Sequence, residues 1–159
     1  FIETEMIFTS HMDTALQEAH AAANRGEVPV GAVVVSPSGE VVSRASNRTR
    51  ENKDPSAHAE MLAIRVACQI LGQERLMGYD LYVTLEPCAM CAGVIAAARI
   101  RRLYYGASDL KSGGVDQGAR IFAHPQSHHN PEIYPGVGED QAVALLKTFF
   151  ASLRDAPTD

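Results

Sequence analysis

Four residues of the chain have side chains that could together bind a metal ion and move protons. His58 and Glu60 lie in the segment HAE, and Cys88 and Cys91 lie in the segment PCAMC, which holds two of the three cysteines. A C-x-x-C pair alone can be a redox dithiol, a disulfide or half of a metal site. With the histidine, the pair supplies three ligands of the types that zinc prefers.

The sequence around these side chains predicts that both segments begin helices. AHAEMLAIRVACQILG predicts a helix that ends near Gly72, and CAMCAGVIAAAR predicts a helix that Pro87 separates from a preceding strand. The N–H groups at a helix N-terminus favour a thiolate over a thiol, and zinc needs deprotonated ligands. Both segments are so apolar that we expect two largely buried helices packed against a sheet.

Three protein ligands leave one position of a tetrahedral zinc ion open, which is the arrangement of a catalytic site. Zinc lowers the pKa of a water molecule in that position to about 7. Glu60 lies two residues from a ligand and can take a proton from this water and pass it to a leaving group. The alternative is a non-catalytic structural zinc module, and both the open position and Glu60 argue against it.

Composition and charge limit the class of protein. The chain has 159 residues, of which 46% are hydrophobic and 21% charged, so we expect one globular domain over residues 1–159, with a ragged N-terminus at 1–10. Its net charge of −5 disfavours a general nucleic-acid binder, although a local basic patch can exist.

No apolar run is long enough to span a membrane. FIETEMIFTS lacks the basic head of a signal peptide, so we expect a cytoplasmic protein.

The pattern of elements predicts an α/β fold. The order α-β-β-α-β-α-β-(β)-α indicates a three-layer α/β/α domain with a mixed sheet of about five strands, antiparallel at its hairpin and parallel where helices cross over. The first helix has a candidate N-cap at Ser10 and an apolar stripe. The other predicted strands are a hairpin of 29–36 and 40–46 and two strands at 79–87 and 100–109. A long substrate-side loop at 111–137 contains a short strand near EIYPGV. The C-terminal helix at 138–154 is amphipathic, and its buried stripe is Ala142, Leu145, Leu146, Phe149 and Leu153.

Several segments together resemble the bacterial tRNA-specific adenosine deaminases. HAE and PCAMC match the H-x-E…P-C-x-x-C signature of the zinc-dependent nucleoside and base deaminases. EVPVGAVVV, DPSAHAEMLAI, LYVTLEPCAMCAGVIAAARI, YYGASDLKSGG and LLKTFF extend the resemblance over roughly residues 12–154. The resemblance implies a cytidine-deaminase-like fold, a homodimer, Zn²⁺ with no organic cofactor, and a tRNA anticodon loop as partner. The implied reaction converts the wobble adenosine to inosine.

The resemblance also implies roles for individual residues. It makes His58, Cys88 and Cys91 the zinc ligands and Glu60 the proton shuttle, which protonates N1 of the adenine and then the departing amine. The implied substrate-binding residues are Asn47, Val30 and Ala59 in the pocket, the backbone of Leu85 and Glu86 beside the leaving amine, and Asp109, Lys111 and Ser112 on the loop that borders the anticodon nucleotides. A deaminase of free guanine, cytosine or a nucleoside would share the zinc site, and GASDLKSGG with LLKTFF favours the tRNA branch.

Other candidate residues allow two interpretations each. The basic residues Arg99, Arg101 and Arg102, with Lys111 and Arg120 not far along the chain, can contact RNA phosphates or form a solvated strand edge. We expect His124, His128 and His129 to lie on the surface or contact RNA rather than bind a second metal. We expect Cys68, Phe149 and Phe150 mainly in the core or a dimer contact, and Tyr104 and Tyr105 in a strand.

Overall fold

The computed structural model describes residues 9–155, so the ragged N-terminus expected at 1–10 lies mostly outside the described residues. The elements follow the predicted order. They are α1 (Met12–Asn24), β1 (Gly31–Val35), β2 (Val41–Ser46), α2 (Ala59–Leu71), β3 (Asp80–Leu85), α3 (Ala89–Ala97), β4 (Arg102–Ala107), a 3₁₀ turn (Ile121–Ala123), β5 (Glu132–Tyr134) and α4 (Glu139–Arg154). Within this described part, no helix combines the length and the apolar character needed to cross a membrane.

The five strands form one mixed sheet in the order β2-β1-β3-β4-β5. Strand β1 pairs antiparallel with β2 and with β3, whereas β3, β4 and β5 run parallel. The parallel pair β3–β4 requires a crossover, and α3 provides it. The predicted mixed sheet of about five strands is therefore confirmed.

Helices cover both faces of the sheet, which gives the predicted three layers. Successive residues of a strand point to opposite faces, and the two hydrophobic clusters divide the strands in this way. Val34, Leu81 and Leu103 face the cluster that includes residues of α2 and α3, while Val33, Tyr82 and Tyr104 face the cluster that includes residues of α1 and α4. The carboxyl ends of β3 and β4 thus come together beside the N-termini of α2 and α3.

Glycine allows two helices to lie close to the sheet. A Cβ atom at Gly31 of β1 would lie 1.9 Å from the carbonyl oxygen of Ala15 in α1. A Cβ atom at Gly106 of β4 would lie 2.7 Å from the carbonyl oxygen of Thr84 and 3.2 Å from the Cβ of Ala142 in α4. Any larger residue at Gly31 would therefore push α1 away from the sheet.

The expected burial of helices α2 and α3 is only half correct. Helix α3 buries Cys91 and Ile95 but exposes Met90, Gly93 and Ala97. Helix α2 likewise exposes Val66 and Ile70 along its outer face. The sheet covers only one side of a helix, and an apolar pattern all round the helix does not show which side remains open.

Two details of the terminal helices also differ from the sequence prediction. Leu153 of α4 is 49% exposed, so its expected place in the buried stripe is wrong; only Ala142 and Phe149 of that stripe are buried. In α1, His11 occupies the N-cap position in place of Ser10. The hydroxyl of Ser10 still accepts a hydrogen bond from the N–H of Met12, at 3.2 Å.

Candidate active site

The predicted ligands His58, Cys88 and Cys91 meet at one point between α2 and α3. Their ligand atoms all lie within 4.8 Å of one another. His58 Nδ1 is 3.6 Å from Cys88 Sγ and 3.5 Å from Cys91 Sγ. A tetrahedral zinc ion with ordinary Zn–S and Zn–N bonds would place such atoms roughly 3.5 Å apart. The residues therefore fit a zinc ion without rearrangement.

Each ligand is held at the start of a helix, as the sequence predicts. His58 is the N-cap residue of α2 and Cys88 is the N-cap residue of α3, both with extended backbone and without a side-chain capping bond. Their side chains are therefore free to bind a metal. Cys91 lies three residues after Cys88, and residues three apart face the same side of a helix. The C-x-x-C spacing thus brings both sulfurs to His58.

The three side chains shift one another's pKa values. Hydrogen bonding from Cys91, and then from His58, lowers the pKa of Cys88 to about 4. The same hydrogen bond to Cys88, together with burial, raises the pKa of Cys91. The hydrogen bond to Cys88 also raises the pKa of His58. The lowered pKa favours a thiolate at Cys88, and zinc binding needs deprotonated ligands.

Beside the cluster lies a cavity of about 270 Å³ that most of the expected site residues line. It opens at the carboxyl end of β3, next to the loop that follows β4. Its walls are Val28, Val30, Asn47, Thr49, His58, Glu60, Leu85, Glu86, Cys88, Asp109 and Ser112. The sequence analysis missed Val28 and Thr49, which lie within two residues of Val30 and Asn47.

Glu60 lies in the first turn of α2 and is buried against this cavity. Burial raises the pKa of its carboxyl group to about 7. A carboxyl group with a pKa near neutrality can both accept and return a proton at physiological pH. The buried position therefore gives Glu60 the property that a proton shuttle needs.

Asn47 is fixed by its backbone, which leaves its side chain available. Its N–H donates to the carbonyl oxygen of Val30 at 3.1 Å, and its carbonyl oxygen accepts from the guanidinium of Arg25 at 3.0 Å. Its side-chain amide lines the cavity and has no hydrogen-bond partner among residues 9–155. An amide held in this way can donate to and accept from a ligand in the cavity.

Not every expected substrate-binding residue lines the cavity. Ala59 is fully buried and belongs with Val30 to the hydrophobic cluster. Lys111 lies in an adjoining surface groove instead. The backbone N–H of Glu86 donates to the carbonyl oxygen of Ala107 at 2.8 Å. Of the backbone groups of Glu86, only the carbonyl oxygen can therefore form the expected hydrogen bond to the leaving amine.

The adjoining groove combines exposed apolar and basic side chains. Leu110 is 82% exposed and Phe150 is 43% exposed, and both line the groove with Lys111. Lys147 and Arg154 line its continuation along α4. The structure thus separates the two phenylalanines of LLKTFF, because Phe149 is buried and Phe150 faces the groove.

The predicted basic cluster lies away from the cavity. Arg101 pairs with Asp80 at 3.4 Å, and Arg102 pairs with Glu132 at 3.1 Å. Arg102 begins β4, whereas the cavity lies beyond the other end of that strand. Arg101 and Arg102 thus form an ion-paired strand edge, while Arg99 lines the separate cavity beside α3.

The remaining candidate residues lie at other places in the fold. Among the described residues, the only cluster of potential metal ligands is His58, Cys88 and Cys91. His129 Nε2 lies 2.6 Å from the carbonyl oxygen of Ile100, and His124 and His128 line a separate cavity beside α3. Cys68 is half-buried against the core, and Tyr104 and Tyr105 are buried in β4.

A His-Cys-Cys cluster with an open side, a buried carboxyl group and a three-layer α/β/α fold define a zinc-dependent deaminase. Comparisons with known proteins agree. The family model for the cytidine and deoxycytidylate deaminase zinc-binding region matches residues 8–107.

Relatives identify the branch of this family. The tRNA-specific adenosine deaminase of Agrobacterium fabrum is 55% identical over 92% of the chain and 95% of its own length. The protein of the same name from Rickettsia bellii is 46% identical over 91% of the chain and 100% of its own length. A solved structure from work on A-to-I editing by tRNA:A34 deaminases superposes with a TM-score of 0.83 at 56% identity, covering 85% of this chain and 97% of that one. The chain belongs to the tRNA-specific adenosine deaminases within the cytidine and deoxycytidylate deaminase family.

Proposed function

We propose that this protein is a zinc-dependent hydrolase that converts adenosine to inosine at the wobble position of a tRNA anticodon. The observation that carries the proposal is the buried carboxyl group of Glu60 beside the His58–Cys88–Cys91 cluster, at the wall of an open cavity. The names of the relatives, which act on adenosine in tRNA, support the choice of substrate.

Each group at the cluster has a defined task in this reaction. His58, Cys88 and Cys91 hold the zinc ion, which when bound makes a water molecule acidic and nucleophilic. Glu60 accepts a proton as the water adds to C6 of the adenine, and it delivers a proton to N1. Glu60 then takes the proton of the new hydroxyl on C6 and passes it to the amine on C6, so that the C6 carbonyl of inosine forms and ammonia leaves. Its pKa of about 7 allows both directions of transfer.

The cavity walls position the base. We assign the free amide of Asn47 to hydrogen bonds with the nucleoside and Val30 to the apolar wall, while Ala59, which does not line the cavity, belongs with Val30 to the hydrophobic cluster. The carbonyl oxygens of Leu85 and Glu86 are placed to accept from the leaving amine. Because the cluster lies inside a cavity, the adenine must leave the base stack to reach it. An anticodon loop offers such unstacked bases at low energetic cost.

The adjoining groove supports a substrate longer than one nucleotide. Leu110 and Phe150 present apolar surface on which flanking bases can stack, and Lys111 and Lys147 add positive charge for phosphates. Asp109 and Ser112 lie between the cavity and this groove. The net charge of −5 is compatible with RNA binding because phosphate contacts need only a local basic patch such as Lys111 and Lys147.

We further propose that the protein acts as a homodimer in the cytoplasm, where its tRNA substrate would be found. The exposed face of α3 carries Met90, Gly93 and Ala97 and no charged side chain. Beside it lies a cavity of about 380 Å³ that Ile121 and His124 also line. A second copy of the chain would remove this apolar surface from water.

An inosine assay on an anticodon stem-loop with adenosine at the wobble position tests the proposed reaction. We expect the parent protein to form inosine, measured by mass spectrometry of the nucleosides, and Glu60→Gln to lose activity by about 100-fold or more with its zinc content unchanged. Free guanine, cytosine and adenosine serve as parallel substrates. Ammonia release from one of these by a zinc-loaded parent that leaves the stem-loop unchanged would contradict the tRNA assignment.

A further inference from the structure

Glu86 is a buried carboxylate that the proposed reaction does not use as a chemical group. Its side chain is 2% exposed and lies two residues before Cys88. Oε1 accepts the backbone N–H of Asp109 at 3.1 Å. Oε2 accepts three backbone N–H groups, from Val115 at 3.1 Å and from Asp116 and Gln117 at 2.9 Å each. Both oxygens are therefore occupied by the loop that follows β4.

The sequence of this loop is adapted to surround the carboxylate. A Cβ atom at Gly113 would lie 2.6 Å from Glu86 Oε2 and 2.5 Å from the carbonyl oxygen of Asp109. Gly118 has a φ of +56°, and a Cβ atom there would lie 2.3 Å from the carbonyl oxygen of Gly113. Successive N–H groups that converge on one anion form a concave binding site for it. Here the anion is supplied by the protein itself.

The same loop is also held against the start of the metal-binding helix. The N–H of Gly114 donates to the carbonyl oxygen of Pro87 at 2.8 Å. A Cβ atom at Gly114 would lie 2.5 Å from the backbone nitrogen of Ala89. Glu86 and its neighbours thus connect the turn that carries Cys88 to the loop that carries the outer wall of the cavity.

We propose that Glu86 is a positioning residue, whose carboxylate fixes the loop 109–117 and so places Asp109 and Ser112 at the wall of the substrate cavity. Asp109 is held directly, because its N–H donates to Glu86. Asp109 Oδ1 in turn accepts the N–H groups of Lys111 at 3.1 Å and Ser112 at 2.9 Å. Removing the carboxylate leaves four N–H groups without their acceptor, and the wall loses its fixed position.

The test uses Glu86→Gln and compares it with Asp80→Asn. Asp80 is also a buried carboxylate of the same segment, but it lies at the opposite end of β3 and pairs with Arg101. Hydrogen exchange is measured at the amides of Asp109, Val115, Asp116 and Gln117. Glutamine keeps one acceptor oxygen, but it has no negative charge and turns an NH2 donor toward the N–H groups on its other side, so all four hydrogen bonds are weakened or lost. We therefore expect faster exchange at these amides in Glu86→Gln and unchanged exchange there in Asp80→Asn, with the zinc content of both variants equal to that of the parent.

The kinetic part of the test rests on the proposed function, because it uses the anticodon stem-loop. We expect the KM of Glu86→Gln to rise about 10-fold to 100-fold, with a much smaller change in kcat, and the KM of Asp80→Asn to stay at the parent value. If the parent forms no inosine, the proposed function fails, while the exchange measurement still decides the role of Glu86.

A second variant tests the same contact from the loop side. Gly113→Ala leaves Glu86 intact but places a methyl group against its carboxylate, so we expect the same faster exchange and the same rise in KM. If Glu86→Gln does not fold, the exchange rates and the KM of Gly113→Ala decide whether the loop depends on this contact. Unchanged exchange at 115–117, or an unchanged KM with faster exchange, would overturn the proposal. A loss of kcat with protected amides and an unchanged KM would overturn it too, because Glu86 would then act on the reacting atoms.

Discussion

At the residue scale, the three ligands differ in depth. Cys91 is fully buried, while His58 and Cys88 are partly exposed and line the cavity. Cys91 would therefore bind a metal ion from the protein interior, while His58 and Cys88 would bind it at the cavity wall. The arrangement explains how one cluster can both bind zinc firmly and leave a position open for the reaction.

Replacing the buried ligand should release the metal. We expect Cys91→Ser to weaken zinc binding by more than about 100-fold, because the loss of a direct ligand should exceed the loss of an outer hydrogen-bond partner. Zinc content per chain, measured by mass spectrometry after dialysis, checks this. Cys68→Ser is the matched control, since Cys68 lies outside the cluster. Full zinc occupancy in Cys91→Ser would contradict the ligand assignment.

The free amide of Asn47 should contribute to substrate binding. We expect Asn47→Ala to raise KM for the stem-loop about tenfold, which corresponds to roughly 1.4 kcal/mol of lost hydrogen bonding. The zinc content and the melting temperature should stay close to those of the parent, because the backbone of Asn47 holds the loop. Asn52→Ala, an exposed asparagine of the same loop, is the control. An equal KM in the two variants would contradict the proposed role of the Asn47 side chain in substrate binding.

At the scale of elements, the cavity depends on how closely the helices approach the sheet. Helix α1 lies against β1 at Gly31, the residue after Val30, which lines the cavity. The loop after β4 is held between the carboxylate of Glu86 and the start of α3. The site is thus assembled from several short connections, each fixed by one close backbone contact.

The contact between α1 and β1 can be tested through stability. We expect Gly31→Ala to lower the free energy of unfolding by about 3 kcal/mol or more, because its methyl group would overlap the backbone of α1. Urea unfolding of the zinc-loaded protein measures the change. His20→Ala is the control, because His20 is an exposed residue of the same helix and alanine favours a helix. Equal stability of the two variants would refute the close contact.

At the scale of the whole molecule, we assign two exposed surfaces to two proposed binding partners. The groove with Leu110, Lys111 and Phe150 adjoins the cavity and suits RNA. The outer face of α3, with Met90, Gly93 and Ala97, is the surface that we propose for a second copy of the chain. Arg101 and Arg102, which pair with carboxylates, belong to neither surface.

A charge on the outer face of α3 should separate the proposed dimer. We expect the parent to be a dimer and Gly93→Glu to be a monomer at micromolar concentration, because the new side chain has room in one chain but would be buried in the interface. Sedimentation velocity measures the molar mass. Ser38→Glu adds the same charge in an exposed turn and should stay dimeric. A monomeric parent would contradict the dimer proposal, and a dimeric Gly93→Glu would exclude this face as the interface.

The sequence by itself determined the element order, the mixed sheet and the metal cluster. The H-x-E and P-C-x-x-C segments are short, and their spacing places each ligand at a helix start whatever the rest of the fold does. Successive strand residues point to opposite faces, so the two sides of each strand also follow from the sequence. The helix starts and the facing of strand residues are local properties, so they can be predicted from neighbouring residues, whereas the meeting of His58 with Cys88 and Cys91 was predicted from the deaminase signature.

Only the tertiary structure decided which residues meet across the chain. The four N–H groups on Glu86 come from residues 23 to 31 positions away, and the carboxylate itself follows an ordinary strand. Leu153 was expected to share the apolar stripe of α4 with Phe149 but is exposed. Such contacts arise when distant segments pack together, and no periodicity within one segment encodes them.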